Sequence, residues 1–205
     1  MLVEKSVIDF LEELASRAPV PGGGSVAALS ASLASGLTEM VANLTLGRKG
    51  YENTEVEMKR IILESSVYRK KFLNNIDKDA DAFNLVMKAF KMPKNTPEEK
   101  AGRKEAIQKK MKNAALVPLE VAKDTLKLME FISEVVEKGN KNALSDGAVA
   151  SMMARTAVLS ALYNVKINLQ SIKDENFVKE ISLQVKEIEL NAIEYEKEIL
   201  LKVDL

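Results

Sequence analysis

Apolar residues recur every three or four positions through almost every long stretch of this chain, and no stretch alternates with the period of two that a half-buried strand requires. That periodicity restricts the fold to packed helices. Val3, Val7, Phe10, Leu11 and Leu14 mark one face of a first helix, which stops at Ala18-Pro19. The run Val20-Pro21-Gly22-Gly23-Gly24 forces a loop. Ser25 is a candidate N-cap, and a second helix extends to Leu46 along Val26, Leu29, Leu33, Leu37, Met40, Val41 and Leu44. Thr54 to Lys91 reads as one long helix, or as two with a break near Asn74-Asn75, ended by Pro93. Thr96-Pro97-Glu98-Glu99 has the cap, first-position proline and first-turn acids of a helix start. That helix runs to Asn113, or continues to Val136 with Pro118 as a kink or boundary. Gly139-Asn140 is a stop, Ser145-Asp146 opens a helix that runs to Ser171, and Asp174 caps a last one that runs to Lys202. The expected fold is all-α, a single-domain multi-helix bundle over residues 1–205.

Ala18 to Thr38 carries no charge, but its prolines, glycines and serines argue for a buried core helix rather than a membrane span. Gly147 to Ala161 shares its small-residue character. These two segments are expected to pack together as small-residue central helices.

The missing residue types narrow the chemistry. With no His and no Cys, Ser–His–Asp and Cys–His nucleophile systems are excluded, as are the usual zinc ligands. Only an all-carboxylate magnesium or calcium site would remain open; no metal and no cofactor is expected. Proton transfer falls to Asp, Glu, Lys and Tyr. Thirty basic and 30 acidic residues leave no net charge, which argues against nucleic acid as a partner. The start, MLVEKSVIDFLEEL, has no apolar block behind a basic end, so a cytoplasmic location is expected. High Lys and Glu without Cys points to a thermophilic source.

Four stretches hold candidate site residues. In Pro21-Gly22-Gly23-Gly24-Ser25, successive backbone N–H groups at a helix start form a site for a carboxylate or phosphate, or else simply connect two helices. In Asp77-Lys78-Asp79-Ala80-Asp81, the helical stripe Ile76, Ala80, Phe83, Met87 and Phe90 reads as core, and Asp79 projects about 60° from it. A carboxylate at a core edge has a raised pKa unless paired, which suits acid–base work. Asp77 and Asp81 share the opposite shoulder and read equally as surface acids. In Gly139 to Asp146 the Asn, Ser and Asp residues read as helix caps, Ser145 or Asp146 above all, while Asn140 and Asn142 alternatively present amide groups to a heterocycle. Asn164 and Asn168, one helical turn apart, line a site or bond between helices. Arg48, Lys49, Lys94 and Arg103 are small basic clusters beside turns.

Together these pieces resemble the cyclodeaminase domain of formiminotransferase-cyclodeaminase and its stand-alone bacterial relatives, which include methenyltetrahydrofolate cyclohydrolases. The likeness rests on Val20-Pro21-Gly22-Gly23-Gly24-Ser25, Met40 to Lys49, Asp79-Ala80-Asp81-Ala82-Phe83, Pro93-Lys94, Val117-Pro118-Leu119 and Gly139 to Asp146, in order along most of the chain. The resemblance implies an all-helical homodimer acting on a tetrahydrofolate in one-carbon metabolism and histidine degradation. It closes 5-formiminotetrahydrofolate to 5,10-methenyltetrahydrofolate with loss of ammonia; the sibling reaction opens the methenyl ring with water. On this reading Asp79 is the acid–base residue, assisted by Asp77 or Asp81. The Pro21–Ser25 turn binds an anionic or carbonyl part of the folate. Asn140, Asn142 and Asp146 recognise the pterin or orient the reacting nitrogen, Asn164 and Asn168 line the pocket, and Arg48, Lys49, Lys94 and Arg103 meet the glutamate tail. A non-catalytic helical folate-binding or scaffold protein is the alternative outside enzymes.

Overall fold

The computed structural model describes residues 1–204. Six α-helices follow a short 3₁₀ turn at Leu2–Glu4: α1 (Val7–Leu14), α2 (Gly23–Asn43), α3 (Glu55–Phe90), α4 (Pro97–Lys138), α5 (Leu144–Leu169) and α6 (Glu175–Leu201). No strand occurs among the described residues. The helices α2 to α5 make the body of the bundle, and α6 lies against α4 and α5.

Helix ends follow local chemistry. Thr96 and Glu99 form a reciprocal capping box at the start of α4, with Pro97 in the first helical position. Asp174 caps α6 by accepting from the Phe177 N–H. Gly22, not Ser25, is the N-cap of α2; Ser25 lies inside the first turn, fully buried. Its hydroxyl bonds to α3 rather than to its own helix start.

The break considered near Asn74-Asn75 does not occur. The α3 helix runs unbroken through it because Phe72, Asn75 and Ile76 are all buried against the bundle. Pro118 does not end α4 either. A proline removes the N–H that would bond the carbonyl four residues back, here that of Ala114. The Asn168 Nδ2 on α5 donates to the Ala114 oxygen at 2.9 Å and replaces the missing bond.

The expected central pair is present: α2 packs against α5 and also contacts α3 and α4. Its inward face is made of small residues, with Ala27, Ala28, Ala31, Ala34, Ser35 and Thr38 buried. Ser35 donates to the Ser65 carbonyl of α3 at 2.6 Å, a contact only short side chains allow. Of the anticipated apolar line, Val41 is buried and Leu29 and Leu37 pack partly buried against the core, whereas Leu33, Met40 and Leu44 are exposed. By length and composition α2 could cross a membrane, yet most of it is buried inside the bundle. In α1 only Phe10 of the anticipated face is buried; Val7 and Leu11 are exposed.

Candidate active site

The N-terminus of α2 meets the middle of α3. Gly23, Gly24 and Ser25 occupy the first turn of α2, where backbone N–H groups have no helical partner. The Gly22 N-cap has no side chain to satisfy them. Asp79 of α3 takes that place. Its carboxylate accepts from the Ser25 backbone N–H, and its Oδ2 lies 3.3 Å from the Ser25 hydroxyl. A Cβ on Gly24 would fall inside the Asp79 carboxylate, so only glycine permits this approach. The anion site expected of the glycine turn is thus occupied by the protein's own carboxylate.

Two opposed influences set the proton affinity of Asp79. Burial is the larger and pushes its pKa above the ordinary carboxylate value; the bonds from Ser25 offset part of this. The Ser25 hydroxyl has one proton, and the Ile76 carbonyl, at 2.9 Å, is its nearer acceptor. The positive end of α2 also favours the charged form. Asp79 therefore sits where both protonation states have support.

Asp79 lies in a cleft of about 380 Å³, a size that suits a small heterocyclic ligand. Pro19, Val20 and Gly22 to Gly24 form one wall, α3 contributes Phe83, Val86, Met87 and Phe90, α4 contributes Met111 and Ala114, and α5 contributes Asn164, Ile167 and Asn168. Among these lining residues Asp79 is the only ionisable side chain. Phe83, Met87 and Phe90, read from the sequence as core, are instead 38%, 40% and 41% exposed on the cleft wall. The sequence signal for them was the stripe itself: it continues past the end of the partner helix that would have buried it.

Asn164 and Asn168 both reach the cleft, each with its amide N–H committed to the fold. Asn164 donates to the Ser160 carbonyl and Asn168 to that of Ala114, both at 2.9 Å. A Cβ on Gly23 would stand 3.0 Å from Asn164 Nδ2, so the glycine turn rests on this amide. Their side-chain oxygens remain as acceptors.

The other candidates lie elsewhere. Asp77 accepts from the Leu2 N–H at 2.6 Å and ties down the N-terminal turn. Asp81 is exposed and borders a separate shallow groove with Asn84, Lys88 and Lys91. Neither carboxylate lines the cleft with Asp79, so the expected assistance from Asp77 or Asp81 finds no support in the geometry. Arg103 donates twice to the Phe90 carbonyl, at 3.2 and 3.0 Å, and covers the Phe90 ring. It closes the end of α3 behind the cleft wall. Lys94 is exposed on the α3–α4 turn. Arg48 and Lys49 are exposed just beyond the opposite end of α2. Asn140 is buried at that same end: its N–H donates to Thr45 Oγ1, its side chain donates to the Leu44 carbonyl, and its Oδ1 accepts from the Asn142 N–H. Asp146 sits in the first turn of α5, also at that end. With 21 residues, α2 separates the two groups by about 30 Å.

The family model described as formiminotransferase-cyclodeaminase matches residues 6–187. A methenyltetrahydrofolate cyclohydrolase of Methylorubrum extorquens is 39% identical over 189 residues, covering 92% of this chain and 89% of its own. The mouse formimidoyltransferase-cyclodeaminase is 37% identical over 176 residues; the match covers 86% of this chain but only 32% of that larger protein. The crystal structure of a formiminotetrahydrofolate cyclodeaminase from Thermotoga maritima superposes with a TM-score of 0.89 at 33% identity, over 99% of this chain and 98% of that one. The glycine turn, Asp79 and the Pro118 motif that shape the cleft all fall inside the matched residues, and the chain belongs to the formiminotransferase-cyclodeaminase family.

Proposed function

We propose that this protein is a folate one-carbon enzyme that closes 5-formiminotetrahydrofolate to 5,10-methenyltetrahydrofolate and releases ammonia, with Asp79 as its proton carrier. The observation that carries this is the solitary, half-buried Asp79 carboxylate at the α2 N-terminus inside an apolar cleft. The flat walls from Phe83, Phe90 and Ile167 suit a pterin ring, and the Asn164 and Asn168 oxygens suit its N–H edge.

The chemistry needs a proton removed from one nitrogen and delivered to another. The formimino group enters as its protonated amidinium; N10 attacks its carbon, the N10–C bond forms as the C=N bond to the NH2 group becomes single, and Asp79 takes the N10 proton. The resulting tetrahedral carbon bears an amino group. Asp79 returns the proton to it, the C–N bond breaks, ammonia leaves and the methenyl cation remains. Asp79 ends as it began. A group that is base in one step and acid in the next works best with a pKa near the working pH. Burial moves the Asp79 pKa upward, in that direction. One carboxylate thus replaces the acid–base pair expected from the sequence, and the steps require no metal.

The cyclohydrolase is the second reading, favoured by the match to the Methylorubrum enzyme over nearly its full length. There water is the nucleophile and N5 or N10 the leaving group, with Asp79 in the same role. Following methenyltetrahydrofolate and ammonia together separates the two. Appearance of both from 5-formiminotetrahydrofolate supports the cyclodeaminase. Accelerated loss of methenyltetrahydrofolate alone supports the cyclohydrolase, and silence in both assays favours a non-catalytic folate-binding protein.

The reading includes a homodimer. Leu33, Met40 and Leu44 on α2 and Val149, Met152, Tyr163 and Ile167 on α5 are exposed large apolar residues on two adjacent helices. A face of this kind favours covering by a second copy. A two-fold axis through its middle would bring Arg48, Lys49, Asn142 and Asp146 of one subunit toward the other's cleft. A substrate-binding role for these residues would require such an arrangement, given their distance from the cleft within one chain.

A further inference from the structure

Asn75 is fully buried, and neither its Nδ2 nor its Oδ1 has a hydrogen-bond partner. Buried amides are ordinarily satisfied, so an unpartnered one in the middle of a long helix asks for a reason. The other buried amide, Asn140, has three bonds and an evident structural task. Asn75 has none.

Its position is specific. Asn75 precedes Asp79 by one helical turn on α3, so the two side chains share a face. Helical side chains lean toward the N-terminus, which carries the Asp79 carboxylate back over the turn that holds Asn75. The Ser25 contacts agree: one hydroxyl reaches both the Ile76 carbonyl, next to Asn75, and Asp79 Oδ2. The ion pairs Arg60–Glu134 and Lys71–Asp124 fix the antiparallel register of α3 and α4 and place Asn75 level with Leu119 and Glu120, just past Pro118. That is the stretch where α4 lacks a backbone N–H.

We propose that Asn75 is a positioning residue for Asp79: its buried amide is the donor that holds the carboxylate after the proton has left. The proposal rests on the proton-carrier role given to Asp79. The Ser25 backbone N–H is the one donor committed to the carboxylate, since the Ser25 hydroxyl serves the Ile76 carbonyl at 2.9 Å and reaches Asp79 only at 3.3 Å; a second committed donor would hold the anion during turnover. An amide–carboxylate pair four residues apart on a helix is a known stabilising arrangement. No other charge competes for the role. The cleft walls from α2, α4, α5 and the Pro19–Gly24 loop carry no ionisable group. On α3, Asp77 is engaged by Leu2, and Asp81 is exposed.

The test follows the protonated-carboxyl infrared band of Asp79, taken as the difference between the protein and its Asp79→Asn variant, as a function of pH. It needs no substrate, so failure of the proposed reaction leaves it readable. In Asn75→Ala the midpoint should rise by about one pH unit, because a donor to the charged form has been removed. Asn75→Ser, which keeps a small donor, should rise less and serves if the alanine variant does not fold. If the Asn75→Ala midpoint is unchanged or falls, as water entering a mere cavity would cause, the proposal is overturned. Where turnover is measurable, the acidic limb of kcat should move with the band while KM stays within about twofold, as expected when a pKa rather than ground-state binding has changed; a band shift without movement of that limb would contradict the proton-carrier role alone.

Discussion

The carboxylate of Asp79 fills the space in which a side chain on Gly24 would begin. The glycine at this position of the turn is thereby explained by proximity to an internal acid. Gly24 sits in the first turn of α2, where alanine is the better helix former. Gly24→Ala should leave the helix content unchanged while pushing Asp79 aside, with a loss of about 100-fold in kcat, the scale expected for a misplacement of about 1 Å. Gly102, in α4 with open space around it, is the control. Gly102→Ala should raise stability by about 0.5–1 kcal/mol with activity unchanged. Circular dichroism and turnover on both variants check the pair.

Because burial raises the Asp79 pKa above 3.8, its charged form costs the folded state free energy. Stability associated with this group is fully present below the unfolded carboxylate pKa and is lost as pH rises through the folded value. Asp79→Asn has no such loss. Melting temperatures of both proteins measured between pH 4 and pH 8 (roughly the span from an unfolded carboxylate to neutrality) should therefore show Asp79→Asn gaining on the wild type as pH increases. A difference independent of pH would mean that Asp79 is not destabilised by its burial.

Asn168 should prove a structural residue as much as a binding one. Its donation to the Ala114 carbonyl compensates for Pro118. Asn168→Ala should cost about 1–3 kcal/mol, the scale for an orphaned buried carbonyl. In a Pro118→Ala background the restored helical N–H can take over, and most of that cost should vanish. Denaturant unfolding of the four proteins in this double-mutant cycle measures the coupling.

The outer face of α2 and α5 gives a prediction about assembly. Leu33 and Met152 are 51% and 47% exposed. Placing charge there, as Leu33→Lys with Met152→Lys, should give a folded monomer by sedimentation equilibrium, with turnover lost if the partner completes the cleft. A wild-type protein that is monomeric at tens of micromolar, a range where a stable interface would hold (Kd of about 1 μM corresponds to roughly 8 kcal/mol), would refute the dimer.

The sequence made the six helices legible because their apolar spacing and their caps, at Thr96 and Asp174 above all, point the same way. It did not reveal which face of each helix turns inward. On α2 the periodic leucines suggested the core, but the close approach to α3 and α5 is made mainly by alanine, serine and threonine; Leu33 and Leu44 lie outside, and Leu29 and Leu37 are only partly buried. Pro118 could not be read as kink or boundary because its compensation comes from Asn168, about 50 residues away. Asp79 stood out as a carboxylate at the edge of an apolar stripe. That Phe83, Met87 and Phe90 line a cleft depends on where α2 begins, which is a tertiary fact. Asp77 and Asp81, on the opposite shoulder, read equally as surface acids or assistants; the choice depended on the Leu2 N–H that engages Asp77 and on the exposure of Asp81.

The most direct test is turnover of 5-formiminotetrahydrofolate by the wild type and Asp79→Asn, with methenyltetrahydrofolate and ammonia followed in the same sample. The account predicts stoichiometric formation of both by the wild type, and a fall of at least about 100-fold in kcat for a variant that remains folded, since a positioned acid–base group contributes about that much or more. Near-normal turnover by folded Asp79→Asn would contradict the assignment of Asp79 as proton carrier.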